Sequence, residues 1–176
     1  TTLLIFGLCT SASAMFGAYV GGLLDDRVGS KRALQIAIGT SSLVLLTLVS
    51  VQPDTILYVV EVGSEPVWNS PYFATLPELF YFCTNQIFAM FFVTGLSTSR
   101  TLMAKLSPPE LATQFFGLFA LSATVTAFLA PLLVATATDF FDSQRIGFGS
   151  LAALMIIGAV LLLKVREEQA TVAESG

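Results

Sequence analysis

The chain has 176 residues, of which 55% are hydrophobic and only 11% charged, with a net charge of −4. Soluble domains carry about 25% charged residues, so a mean hydropathy of +0.80 excludes a water-exposed surface for most of the chain. No cluster of Lys and Arg forms a nucleic-acid footprint, and the lack of His excludes histidine catalysis and histidine–metal chemistry. Cys9 and Cys83 both lie in apolar runs. They read as buried thiols acting as small hydrophobes, and two cysteines make no metal signature. The chain opens on apolar residues without Met and without a preceding basic segment, which reads as a truncation and not as a signal peptide.

A helix needs about 20 apolar residues to cross the hydrocarbon core. Five stretches qualify, at 3–24, 33–51, 79–99, 111–138 and 146–163, so the expected fold is an all-α membrane protein. The first span carries two rows of small residues, Ser13, Gly17, Gly21 and Ala14, Ala18, Gly22. Such rows let helix backbones approach closely. The connection at 52–78 contains Pro53, Pro66, Pro71 and Pro77, with Trp68, Tyr72 and Phe73 between them. It reads as an outer loop lying partly in the interface, where aromatic rings favour the headgroup level. A short strand is expected within 56–60, and the loop is a candidate gating lid.

Thr75 with Glu78 three residues on forms a capping box before the third span. Phe80, Tyr81, Phe82, Phe88, Phe91 and Phe92 surround that helix and read as bulk facing lipid and neighbouring helices. Ser107-Pro108-Pro109-Glu110 gives the same box, with proline in the first turn, before the fourth span. Pro131 lies inside that span and predicts a kink. The tail at 167–176 is polar and expected to be disordered.

The charges alternate from one connection to the next. Arg27, Lys31, Arg32, Arg100, Lys105, Lys164 and Arg166 occupy one set of connections, and the other set holds Arg145 alone among the basic residues. The positive-inside rule puts the basic set and the C-terminus in the cytoplasm. No charge falls near the middle of a span, where it would mark a proton relay or ion site. Glu78 and Asp139 are the nearest acidic groups, at the outer rim. The polar groups at depth are uncharged: Ser11, Ser13, Asn85, Gln86, Ser122, Thr124 and Thr126. Of these, Ser11, Ser13, Asn85, Gln86, Ser122 and Thr126 are the candidate solute-pocket residues; interhelical hydrogen bonding is the competing role. No catalytic residues emerge, because the sequence shows no nucleophile–base pair, metal cluster or phosphate loop.

The first basic connection reads Gly22-Leu23-Leu24-Asp25-Asp26-Arg27-Val28-Gly29-Ser30-Lys31-Arg32. Gly22 and Gly29 suit a tight turn and close backbone approach. Asp26 is placed to cap a helix or pair with a nearby arginine, and Arg27, Lys31 and Arg32 to reach anionic headgroups. The segment fits the pattern G-x-L-x-D-R-x-G-x-[RK]-[RK] of major facilitator superfamily transporters. Further on, Gly95 to Pro109, Gln114 to Ser122 and Pro131-Leu132-Leu133 resemble the vacuole-effluxer-like branch of that superfamily over nearly the whole chain.

The resemblance implies a twelve-helix fold of two halves, of which 1–166 would supply helices eight to twelve. The implied partners are the missing N-terminal half, the bilayer and a small polar solute, with protons as the candidate coupling ion and no cofactor. The pocket would lie between the halves near the bilayer midplane. The implied function is secondary active transport by alternating access, with amino-acid efflux as the specific candidate. A transport-dead scaffold or sensor retaining the fold is the alternative. Gly22, Asp26, Arg27, Gly29, Lys31 and Arg32 would form a conformational latch, with Arg100 and Lys105 in the neighbouring cytoplasmic loop. A bacterial plasma membrane is the expected location, or a vacuolar membrane for a fungal source.

Overall fold

A single residue separates the first two helices. Helix α1 runs Thr2–Val28 and α2 runs Ser30–Val49, with Gly29 between them at φ 85°. A positive φ is accessible to glycine without the Cβ clash that other residues meet. The turn is closed by the Gly29 amide donating to the Asp25 carbonyl (3.0 Å) and the Ala33 amide donating to the Gly29 carbonyl (2.9 Å). Gly22 plays no part in it: it lies inside α1, with nothing within 4 Å of where a Cβ would stand. The computed structural model describes residues 2–52, 55–56, 60–62, 66–68 and 72–165. The tail at 167–176, with Pro53 and Pro71 of the long connection, lies outside the described residues.

The long connection contains a small hairpin instead of one strand. Strand β1 (Thr55–Ile56) pairs antiparallel with β2 (Val60–Glu61), Thr55 opposite Glu61; residues 57–59 are outside the description. Near its end Pro66 bridges Thr75, and the Trp68 indole donates to the Tyr72 carbonyl at 3.3 Å. Phe73 then packs against Phe82 and Phe6, with ring centroids 4.6 and 6.4 Å apart. The end of the connection is thereby anchored on the N-terminal parts of α1 and α3.

Helix α3 spans Leu76–Leu106, 31 residues. It opens on the expected capping box, the Thr75 amide donating to Glu78 at 3.4 Å. At 1.5 Å per residue it is about 46 Å long, well beyond the roughly 30 Å hydrocarbon core. The excess lies at its C-terminal end, so Arg100 and Lys105 stand on the helix and not in a loop. Ser107 corrects a sequence expectation. Its hydroxyl and amide both bond back to the Met103 carbonyl, at 2.7 and 3.1 Å, so it closes α3 and does not open the next helix. Pro108 leads instead into a 3-10 turn, Pro109–Leu111.

The fourth span is kinked, as expected: α4 (Ala112–Ala127) and α5 (Leu129–Phe141) meet at Phe128, whose backbone stays right-handed helical at φ −81° and ψ −19°. Pro131 explains the position. It has no N–H to offer the Ala127 carbonyl, and its ring crowds that carbonyl. Pro131→Ala is expected to join the two helices, seen as slower amide exchange at Phe128–Leu132 in hydrogen-exchange mass spectrometry. Unchanged exchange there would assign the kink to packing.

Helix α6 (Gln144–Lys164) packs against α2 and α5, and α3 packs against α1 and α2. Gly147 allows the α5 contact, since a Cβ there would stand 2.2 Å from the Thr138 hydroxyl. The core centres on α2, with Ala33, Leu34, Ala37, Val44 and Leu45 buried. Helices α4 and α5 bury no residue, and Leu118, Leu121, Val125, Phe128 and Phe140 are exposed. Cys83 is also exposed and Cys9 partly so, which corrects their reading as buried thiols. Five segments are long and apolar enough to cross a membrane, α4 and α5 together forming one of them. Helices apolar on all sides belong in lipid, where every backbone group must be satisfied within the segment.

Candidate functional site

The buried residues of α1 are Gly17, Gly21 and Asp25. They lie four apart and continue the row begun by Ser13, so they share one face. That face meets α3, and the two helices run in the same direction: Ser13 meets Gln86, Gly17 meets Met90, Gly21 meets Thr94 and Asp25 meets Lys105. At the middle of the seam a Cβ on Gly17 would stand 2.1 Å from the Met90 carbonyl oxygen. The Thr94 hydroxyl lies 2.7 Å from the Gly17 carbonyl and 2.9 Å from that of Met90. The second small row is not a packing face here: Ala18 and Gly22 are exposed.

Above this contact lies a polar cluster without charge. Ser13 donates to the Gln86 side-chain oxygen at 3.0 Å. The amides of Asn85 and Gln86 both donate to the Thr10 hydroxyl oxygen, at 3.2 and 3.4 Å. All four side chains are partly exposed, so the cluster is open to a further partner. Three of the six sequence candidates thus meet. Ser11, Ser122 and Thr126 do not: each is exposed and, among the described residues, bonds to carbonyls of its own helix, Gly7, Phe119, and Ser122 with Ala123. Thr124 behaves likewise, bonding to the Ala120 carbonyl. Thr10 was missed, although its place three residues before Ser13 puts it on the same face.

At the other end of the seam, about 18 Å from Ser13 by helix rise, lies an ion pair. Lys105 Nζ sits 3.1 and 2.9 Å from the two carboxylate oxygens of Asp25. The Ser30 hydroxyl also donates to Asp25. Asp25 is buried, whereas the Lys105 side chain is about half exposed. The engaged carboxylate is therefore Asp25, and the expected Asp26 is exposed, as are Arg27, Arg32 and Arg100. Helix periodicity decides between the two neighbours: Asp25 continues the Ser13–Gly17–Gly21 row, and Asp26 falls about 100° away. Ser30, the first residue of α2, ties the pair to a third helix.

A separate cavity of about 600 Å³ opens between α2, α3, α5 and α6. Its walls are mainly apolar, with Asn85, Gln144 and Arg145 as polar members. Phe88 and Phe92 line it and stack on each other at 5.6 Å, so part of the aromatic run on α3 faces a cavity instead of serving only as bulk. Among the described residues no group of acidic, Cys or His side chains is arranged to hold a metal ion.

These features define a multi-pass helical membrane protein. The chain belongs to the family described as "Vacuole effluxer Atg22 like", which it matches over residues 2–175. It is also similar to an "Uncharacterized MFS-type transporter YxiO" of Bacillus subtilis (strain 168), 34% identical over 73 residues. That match covers 42% of this chain and 17% of the relative. No solved structure matches the chain.

Proposed function

We propose that the chain is the C-terminal part, helices eight to twelve, of a secondary transporter that moves a small, polar, uncharged or zwitterionic solute by alternating access. The observation that carries this reading is the α1–α3 seam. One pair of parallel helices holds a cluster of neutral hydrogen-bonding groups at depth and, farther along, a half-exposed lysine paired with a buried carboxylate. Thr10, Ser13, Asn85 and Gln86 supply both donors and acceptors and no net charge, which suits the amine and carboxylate of an amino acid. The family name, a vacuole effluxer, supports export as the direction, and the donor and acceptor set of the cluster supports an amino acid as the particular solute. An N-terminal half would complete the pocket at the midplane, and any titrating group for proton coupling would lie there.

In this reading the Asp25–Lys105–Ser30 contact is the latch. It joins α1, α2 and α3 at one end of the bundle, and it would form in one access state and break in the other. The basic connections and the C-terminus face the cytoplasm, in a bacterial plasma membrane or a vacuolar membrane.

The test is solute binding by the full-length protein with Gln86 changed to Leu. Loss of one or two hydrogen bonds to solute is expected to weaken binding about tenfold. If Gln86 serves only helix packing, stability falls by about 0.6 kcal/mol per lost bond and solute affinity stays the same.

A further inference from the structure

The cavity between α2, α3, α5 and α6 is separate from the polar cluster; Asn85 lines the cavity while turning its amide toward Thr10. The cavity has a definite depth. Its α6 wall runs from Gln144 to Met155 and its α3 wall from Tyr81 to Phe92, each about 16 Å by helix rise. That is half of the roughly 30 Å hydrocarbon core, the thickness of one leaflet. The volume of about 600 Å³ is typical of a built small-molecule site.

Polarity is graded along this depth. Gln144 and Arg145 stand at the rim, at the start of α6. Leu151 and Met155 line the deep end. Among the described residues Arg145 has no ion pair, although Asp139 in the last turn of α5 and Asp142 just after it are exposed. A second, shallower hollow between α2, α5 and α6 also includes Arg145, so the guanidinium is shared by two grooves. A lone cation at the interface above an apolar slot one leaflet deep complements an anionic headgroup on an acyl chain.

We infer that this cavity is a binding site for one acidic phospholipid of the leaflet opposite the Asp25–Lys105 end. The phosphate sits on Arg145, with Gln144 beside it, and an acyl chain lies between α3 and α6 down to Met155. The inference rests on the membrane fold and not on the transport reading, and its test needs no transport.

The experiment is native mass spectrometry of the full-length protein in detergent, titrated with phosphatidylglycerol or phosphatidylcholine. Phosphatidylglycerol is expected to be retained about fivefold more strongly, from one interfacial charge pair. Arg145→Gln abolishes that preference, and Arg145→Lys keeps it. Leu151→Trp, which fills the slot, lowers retention of phosphatidylglycerol while the protein still binds detergent as a folded species. Glycerol phosphate at equal concentration does not displace the lipid. Equal retention of the two lipids, or a preference that survives Arg145→Gln, overturns the proposal. So does competition by glycerol phosphate, which would leave a simple anion site, or retention unaffected by Leu151→Trp.

Discussion

Gly17→Ala is expected to lower the stability of the full-length protein by about 3 kcal/mol, the upper end of the usual cost of overpacking. The added methyl would stand 2.1 Å from the Met90 carbonyl oxygen and 2.8 Å from the Met90 carbonyl carbon and Cα. All three are backbone atoms of a helix, so no side chain can swing aside. Either α1 and α3 separate, or the Thr94 hydroxyl loses its contact with the Gly17 carbonyl. The gain in helix propensity from Gly to Ala, about 1 kcal/mol, does not offset this. Gly22→Ala is the matched control, because nothing lies within 4 Å of its added methyl. It should be neutral or slightly stabilising. Detergent-solubilised thermal melts of the two variants decide the matter; equal melting points would mean that α1 and α3 are not in backbone contact.

The second large effect is expected at Asp25, not at Asp26. Breaking a fully buried ion pair costs about 3–5 kcal/mol. Lys105 is half exposed, and water screens the pair, so about 1–2 kcal/mol is the expected cost of Lys105→Gln. That variant leaves Asp25 with the Ser30 hydroxyl as its remaining partner. Asp25→Asn should act similarly, and the double variant should cost less than the two singles summed, because both remove the same contact. Asp26→Asn should leave stability within about 0.5 kcal/mol, as for an exposed substitution. If the pair is a latch, Asp25→Asn also changes cysteine accessibility on the seam, which Asp26→Asn does not. Additive single effects would show that the two charges are not coupled.

Local signals in the sequence were read well where the physics is local. Gly29 is demanded by a turn of positive φ, and the Thr75–Glu78 box spans one helical turn. Pro131 marked the kink, because its missing N–H acts on the carbonyl four residues back. Ser107 was misread because a serine can bond forward to open a helix or backward to close one. Here α3 continues through Thr101–Leu106, strong helix formers for the most part, until Pro108, so the backward bond wins. That same extension carries Lys105 along the helix to Asp25, a contact across 80 positions that no local pattern reveals. The choice of Asp25 over Asp26 was legible in the four-residue row of α1, once the row is followed past Gly21. Thr10 was legible in the same way. The cavity was not, since it needs residues from four helices to converge.

The measurement that bears most directly on the transport reading is counterflow of a mixed radiolabelled amino-acid pool, in liposomes holding the full-length protein, with and without a proton gradient. Saturable accumulation that Gln86→Leu weakens is the expected result, and a dependence on the gradient would place a titrating group in the N-terminal half. Folded, inserted protein that shows no counterflow of any amino acid would contradict amino-acid transport and favour a scaffold that has kept the fold.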